Sequence, residues 1–301
     1  MNDLPVSGTA ETTHLPAVEA VLLSSQRPLG NRPLLVVGAS LGTSSVLWEE
    51  VGSLLDAGVN GADVDSTGVD VVAWDLPGHG ASPASQAPFT VAELAQSVID
   101  LVDSLAPGAR FHYAGVSLGG AVGLQLGITH GDRIRSLSIQ CSGPKLGTPE
   151  AWEDRAETVR THGTSVMIEG SAQRWFAAGF VEREPALASR LLDGLRDAEQ
   201  FSYAHCCQAL AGFDVRKQLG RIRVPLLAVA GAEDTVATPE LMQGMVAAVN
   251  AGATQRSTDS NTSADPVATL ETLPRVGHLA PAEAPAEVAR LLRGLIDQTQ
   301  L

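Results

Sequence analysis

The chain has 301 residues, 44% of them hydrophobic and 18% charged, and a formal net charge of −14. That length can bury a sizeable core, and the composition excludes a disordered chain. A surface this acidic repels nucleic acid and anionic membranes, and three cysteines (Cys141, Cys206, Cys207) suit neither a disulfide framework nor a Cys/His metal cluster.

The first residues, MNDLPVSGTAETTHLP, lack the basic start and apolar run of a signal peptide. No apolar stretch reaches the roughly 20 residues of a membrane helix. A soluble protein of the reducing cytoplasm is therefore expected.

Apolar runs then predict strands at Ala17–Leu23, Leu34–Val37 and Asp70–Trp74. Thr90 and Glu93 have capping-box spacing, with Phe89 and Leu94 placed as a hydrophobic staple. From there Val91, Leu94, Ala95, Val98, Leu101, Val102 and Leu105 form one apolar helix face. A strand at Phe111–Val116, a helical run at Gly120–Ile128 and a strand at Ser136–Gln140 follow. Between Ser142 and Arg223 the patterns are helical throughout. A strand at Leu226–Ala230 comes next. The polar stretch Ala251–Pro266, almost without large apolar residues, reads as a flexible surface loop. A strand at Ala268–Leu273 and a closing helix after Pro285, striped by Val288, Leu291, Leu292, Leu295 and Ile296, complete the chain.

Buried-type strands alternating with helices predict an α/β protein with a mostly parallel, doubly wound sheet of about eight strands. Residues 1–141 and 224–301 would form the core. Residues 142–223 would form a helical cap, inserted before the strand Leu226–Ala230.

One motif carries the chemistry. Gly115-Val116-Ser117-Leu118-Gly119 has the form G-x-S-x-G, with an apolar strand before it and a helical run after it. That is the context of a nucleophile elbow, and it points to the α/β-hydrolase fold. A serine is a weak nucleophile unless a base removes its proton and an acid orients the base. On this fold the acid and then the histidine follow the serine in chain order. Asp234, just after the strand Leu226–Ala230, is the expected acid, with Glu233 the adjacent alternative. Of seven histidines only His278 lies downstream of Asp234. His14, His79, His112, His130, His162 and His205 fall in the terminus, a Gly-rich turn, a strand, or helical segments. The oxyanion needs main-chain N–H donors. Leu118, next to the serine, supplies one, and Leu41, in the loop Gly38-Ala39-Ser40-Leu41-Gly42-Thr43, supplies the second.

Further segments resemble the 3-oxoadipate enol-lactonases. Ser40-Leu41-Gly42-Thr43 followed by Trp48 is similar to that family's oxyanion segment. Trp74-Asp75-Leu76-Pro77-Gly78-His79-Gly80-Ala81-Ser82 resembles its next loop, except that some relatives have Arg where this chain has Pro77. The most specific likeness lies in the cap. It runs through Gly147-Thr148-Pro149-Glu150-Ala151-Trp152, Arg155, Val159-Arg160, Gly163, Arg174-Trp175-Phe176, Phe180, Tyr203, Cys206-Cys207 and Phe213-Asp214. The resemblance implies hydrolysis of 3-oxoadipate enol-lactone to 3-oxoadipate, late in the protocatechuate branch of aromatic degradation. It implies an acyl-enzyme on Ser117 and neither a metal nor an organic cofactor.

An anionic lactone needs a cation in the pocket. Arg155, Arg160 and Arg174 of the cap are the candidates, and a bidentate guanidinium suits a carboxylate. Trp152, Trp175 and Phe176 read first as cap core and also as candidate pocket walls. Cys206 and Cys207 read as buried structural thiols. Two other activities fit the same motifs: a general carboxylesterase or perhydrolase of this fold, and a non-catalytic ligand receptor built on it. Oligomeric state is not encoded in these patterns.

Overall fold

A computed structural model describes residues 15–24, 29, 32–57, 68–260 and 267–299. Its centre is a seven-stranded sheet in the order β1-β3-β2-β4-β5-β6-β7. The strands are β1 (Ala20–Leu22), β2 (Leu34–Gly38), β3 (Asp70–Trp74), β4 (Phe111–Val116), β5 (Ile134–Gln140), β6 (Leu226–Gly231) and β7 (Ala268–Leu273). All neighbours pair in parallel except β1, which runs antiparallel to β3.

Every residue of β2, β3, β4 and β6 is buried, as a parallel sheet covered on both faces requires. The edge strands behave otherwise. β1 pairs through Ala20, Val21 and Leu22 alone and is shorter than the run Ala17–Leu23 predicts. An edge strand gains ladder bonds from one side only, so its length follows its partner rather than its composition.

Helix α1 (Glu49–Ala57) packs against α11 (Pro285–Gln298), and α2 (Val91–Leu105) against α3 (Leu118–Thr129). The expected capping box starts α2: the Glu93 N–H donates to Thr90 Oγ1 at 3.1 Å, and the Thr90 N–H to Glu93 Oε2 at 2.7 Å. Helix α3 is apolar all round because it is the most enclosed helix, seated against β2, β4 and β5.

Between β5 and β6 the chain is helical, as expected: α4 (Pro149–His162), α5 (Ile168–Trp175), α6 (Phe180–Arg183), α7 (Pro185–Asp197) and α8 (Gln200–Ala211). α4 and α8 form its main packed pair.

The loop expected at Ala251–Pro266 is corrected. Helix α9 (Pro239–Ser260) runs on through Ser260, and residues 261–266 lie outside the described residues. Two contacts explain the extension. The Asn250 amide is tied to Ala268 of β7 in both directions, at 2.8 and 2.9 Å. Gly252 lies against Gly220 so closely that an added Cβ would stand 2.3 Å from the Gly220 Cα. A backbone contact between two glycines holds the helix where an apolar stripe is missing.

Candidate active site

The candidate residues gather at the carboxyl ends of the parallel strands, where open α/β sheets keep their sites. Ser117 joins β4 to α3 with φ 54° and ψ −113°, backbone that non-glycine residues seldom adopt. The turn is held by the Ser117 N–H to Gln140 O (3.1 Å), the Ala121 N–H to Ser117 O (2.9 Å) and Ser142 Oγ to Ser117 O (2.6 Å). Its glycines are required sterically. A Cβ on Gly115 would lie 2.2 Å from Gly119 O, and one on Gly119 would lie 2.5 Å from Gly38 O.

Asp234 follows β6 and His278 follows β7. His278 Nδ1 donates to Asp234 Oδ2 at 2.9 Å, and this bond leaves Nε2 as the ring nitrogen not held by the carboxylate. The other carboxylate oxygen accepts from the N–H groups of Val236 (2.7 Å) and Ala237 (3.1 Å). Burial raises the Asp234 carboxyl. The hydrogen bond and charge of His278, with the two amides, outweigh burial and hold it below the usual carboxylate value. Glu233 points elsewhere: its Oε2 accepts the Ala178 N–H at 3.0 Å.

The loop after β2 makes a tight turn in which the Thr43 N–H and Oγ1 both reach Ser40 O, at 2.9 and 2.8 Å. His79 braces it. Its Nε2 accepts the Gly42 N–H at 3.2 Å, and its Nδ1 donates to Pro77 O at 2.9 Å. Burial pushes the His79 imidazole down to about 4, so it is the neutral ring these bonds need. Asp75 joins the same loops, accepting from the N–H groups of Ser45 (2.6 Å) and Ala81 (2.8 Å). Among the described residues, neither the Leu41 nor the Leu118 N–H donates to a protein acceptor.

Ser117, His278 and Leu41 line a cavity of about 330 Å³ together with Trp152, Arg155, Arg174 and Trp175. The helical segment thus brings Trp152, Arg155, Arg174 and Trp175 to the cavity of the serine, but not the other cap candidates Arg160 and Phe176. Arg155 is fixed in place: its Nη2 donates to Tyr203 Oη, and its guanidinium lies 5.5 Å from the Trp152 ring centre and 5.4 Å from that of Tyr203. Burial, and then the charge of Arg155, lower the Arg174 guanidinium below its ordinary pKa. Among the described residues neither arginine is paired with a carboxylate. Arg160 is outside the cavity and lies 3.9 Å from Glu157 on its own helix.

Ser40, named within the oxyanion loop, and Gly147 and Ala151, named within the cap pattern, also line the cavity, as do Thr235 and Val236, which sequence reasoning did not single out. Thr235 and Val236 had a signal, since they directly follow the predicted acid. Tyr203 was noted only as part of a family pattern; its place behind Arg155 and stacked on His79 (5.9 Å between ring centres) needed the fold. Cys141, Cys206 and Cys207 are free and buried, as read for the pair, and burial pushes the Cys207 thiol up to about 12.

The chain matches the model of the alpha/beta hydrolase family over residues 34–291. It is similar to 3-oxoadipate enol-lactonase 2 of Acinetobacter baylyi, 36% identical over 69% of this chain and 74% of that one. It is 33% identical to 3-oxoadipate enol-lactonase 1 of the same organism, again over 69% of this chain and 74% of the relative. Among solved structures, the enol-lactonase from Burkholderia xenovorans LB400 superposes with a TM-score of 0.79 at 27% identity, covering 93% of this chain and 96% of that one.

Proposed function

The chain belongs to the alpha/beta hydrolase family and is an ester hydrolase; on that premise we propose that it hydrolyses 3-oxoadipate enol-lactone to 3-oxoadipate. Ser117, His278 and Asp234 are the reacting groups of this proposal. Ser117 Oγ attacks the lactone carbonyl while His278 Nε2 takes its proton. Asp234 keeps the imidazole in the required tautomer and stabilises the imidazolium. The Leu41 and Leu118 N–H groups, with the N-terminus of α3, hold the oxyanion.

Collapse of the tetrahedral intermediate breaks the ring C–O bond. His278 returns its proton to the departing enol oxygen, which stays tethered within the acyl group. The enol tautomerises to the ketone and makes opening irreversible. A water deprotonated by His278 then attacks the acyl ester. Ser117 leaves with its proton restored, and 3-oxoadipate is released.

One observation carries the choice of substrate: Arg155 and Arg174, which no carboxylate among the described residues neutralises, line the cavity of Ser117 and His278. In a chain of net charge −14 this is a local positive site, suited to a small anion. Trp152 and Trp175 offer apolar walls to the ring, and the segment 142–223 acts as the cap. We place the reaction late in the protocatechuate branch of aromatic degradation. The free, buried cysteines fit a reducing cytoplasm.

The test compares freshly generated enol-lactone with p-nitrophenyl acetate. The lactone should have much the higher kcat/KM, and Ser117→Ala should lower it by about 10⁴-fold or more. Equal or better turnover of the simple ester would make the protein a general carboxylesterase or perhydrolase. Binding without turnover would make it a receptor.

A further inference from the structure

Two segments meet behind His278. The turn at Val276-Gly277-His278 lies against Trp175–Ala178, the stretch that leaves α5. The His278 N–H donates to Trp175 O at 2.9 Å. The backbones touch: a Cβ on Gly277 would stand 2.8 Å from Ala177 N and 2.9 Å from Trp175 O. Glu283, in the short helix α10 (Ala280–Glu283), bridges them. Its Oε1 accepts the Gly277 N–H at 2.9 Å, and its Oε2 accepts the Ala177 N–H at 2.8 Å. Trp175 itself lines the cavity.

We propose that Glu283 is a positioning residue that couples the seating of the Trp175–Ala178 segment to the placement of His278, and that it does so only as a carboxylate. The role rests on the assignment of Ser117, His278 and Asp234 as the reacting groups. The geometry explains the need for charge. Each oxygen accepts a different main-chain N–H, so both must be acceptors. A carboxamide, or a protonated acid, sets a donor against one of the two amides and leaves that amide unsatisfied.

Glu233 is the contrast. Among the described residues its carboxylate accepts the Ala178 N–H alone, and a glutamine carbonyl can replace it there. Burial, opposed by the amides of Ala177, Gly277 and Leu279 and reinforced by the charge of Glu233, raises the Glu283 carboxyl above its ordinary value. Among the described residues, the other titratable or charged groups around it include His278 on the turn it holds, the buried Cys141, and Glu49, Glu50, Arg183, Glu184 and Arg190, which share its cleft. Mild acid therefore releases the clamp while most carboxylates are still charged.

The test is the pH profile of kcat/KM for Glu283→Gln and Glu233→Gln beside the unaltered protein. Glu283→Gln should lose about ten- to a hundredfold in kcat/KM, as misplacement of a reacting group by a fraction of an ångström to an ångström does. Its acid limb should become shallower, because one of two titrations is gone. Glu233→Gln should keep a rate close to wild type and an acid limb of wild-type steepness, moved slightly to lower pH because the charge that raises Glu283 is gone. A wild-type rate and acid limb in Glu283→Gln would overturn the proposal. Amide hydrogen exchange on the unaltered protein tests it without a variant. Protection at Ala177 and Gly277 should fall together on mild acidification, and protection retained at both would also overturn the proposal. Activity surviving in Ser117→Ala would instead overturn the assignment of the reacting groups and leave the exchange result to decide on Glu283.

Discussion

Arg155 and Arg174 put two like charges into the cavity that holds Ser117, and among the described residues no carboxylate neutralises either. Arg155 is sandwiched between two rings and bonded to Tyr203, so it also binds α4 to α8. Arg174 has the freer guanidinium and is the cleaner probe. Arg174→Gln should lower kcat/KM for the anionic lactone about tenfold or more, the worth of one charge-assisted hydrogen bond, mainly through KM. Turnover of neutral p-nitrophenyl acetate should be unchanged. Parallel kinetics with the two substrates check this; an equal loss on both would show that Arg174 supports the fold and not the anion.

Asp234→Asn should keep the fold and lose about 10⁴-fold in kcat, because an amide nitrogen facing Nδ1 favours the wrong imidazole tautomer. Circular dichroism and kcat for the lactone check the two halves. Asp234 also has a stability consequence. Its folded pKa lies below the ordinary value, so its contribution is present at neutral pH and is lost as pH falls below about 4 towards the depressed value.

His79 should make the protein acid-sensitive at milder pH. Its imidazole drops from 6.5 to about 4 through burial, so the unfolded chain binds the proton more readily. Stability is complete above pH 6.5 and is lost as pH falls towards 4, by about 3 kcal/mol at order of magnitude. His112, pushed down to about 4 by burial and by Arg135 and Arg110, adds to the same slope. Urea denaturation from pH 7 to pH 4 checks this. His79→Gln, which can still accept the Gly42 N–H, should flatten the slope.

Much of the fold was legible in the sequence. Asp70–Trp74, Phe111–Val116 and Ala268–Leu273 are strands with the bounds their apolar runs predict, and Thr90 with Glu93 starts α2 as its spacing predicts. These signals are local: strand burial and capping act over a few residues. The tail of α9 was not legible, because its support is the Gly252–Gly220 contact, and two glycines carry no hydrophobic signal. Glu283 was not legible either. It acts on an amide 106 positions away, and nothing in the run Ala280-Pro281-Ala282-Glu283 marks it.

By itself the sequence determined the order of Ser117, Asp234 and His278, the glycine spacing around the serine, and the alternation of strands and helices. Each follows from the short-range sterics of a turn or from the periodicity of one element. Only the tertiary structure decided that Asp234 and not Glu233 meets His278, and that Arg155 and Arg174 but not Arg160 face the serine. It alone showed that Glu283 joins the histidine turn to the helical segment. Those choices depend on which side of a loop or helix faces inward once the sheet has brought distant segments together, and that is set by packing across the fold.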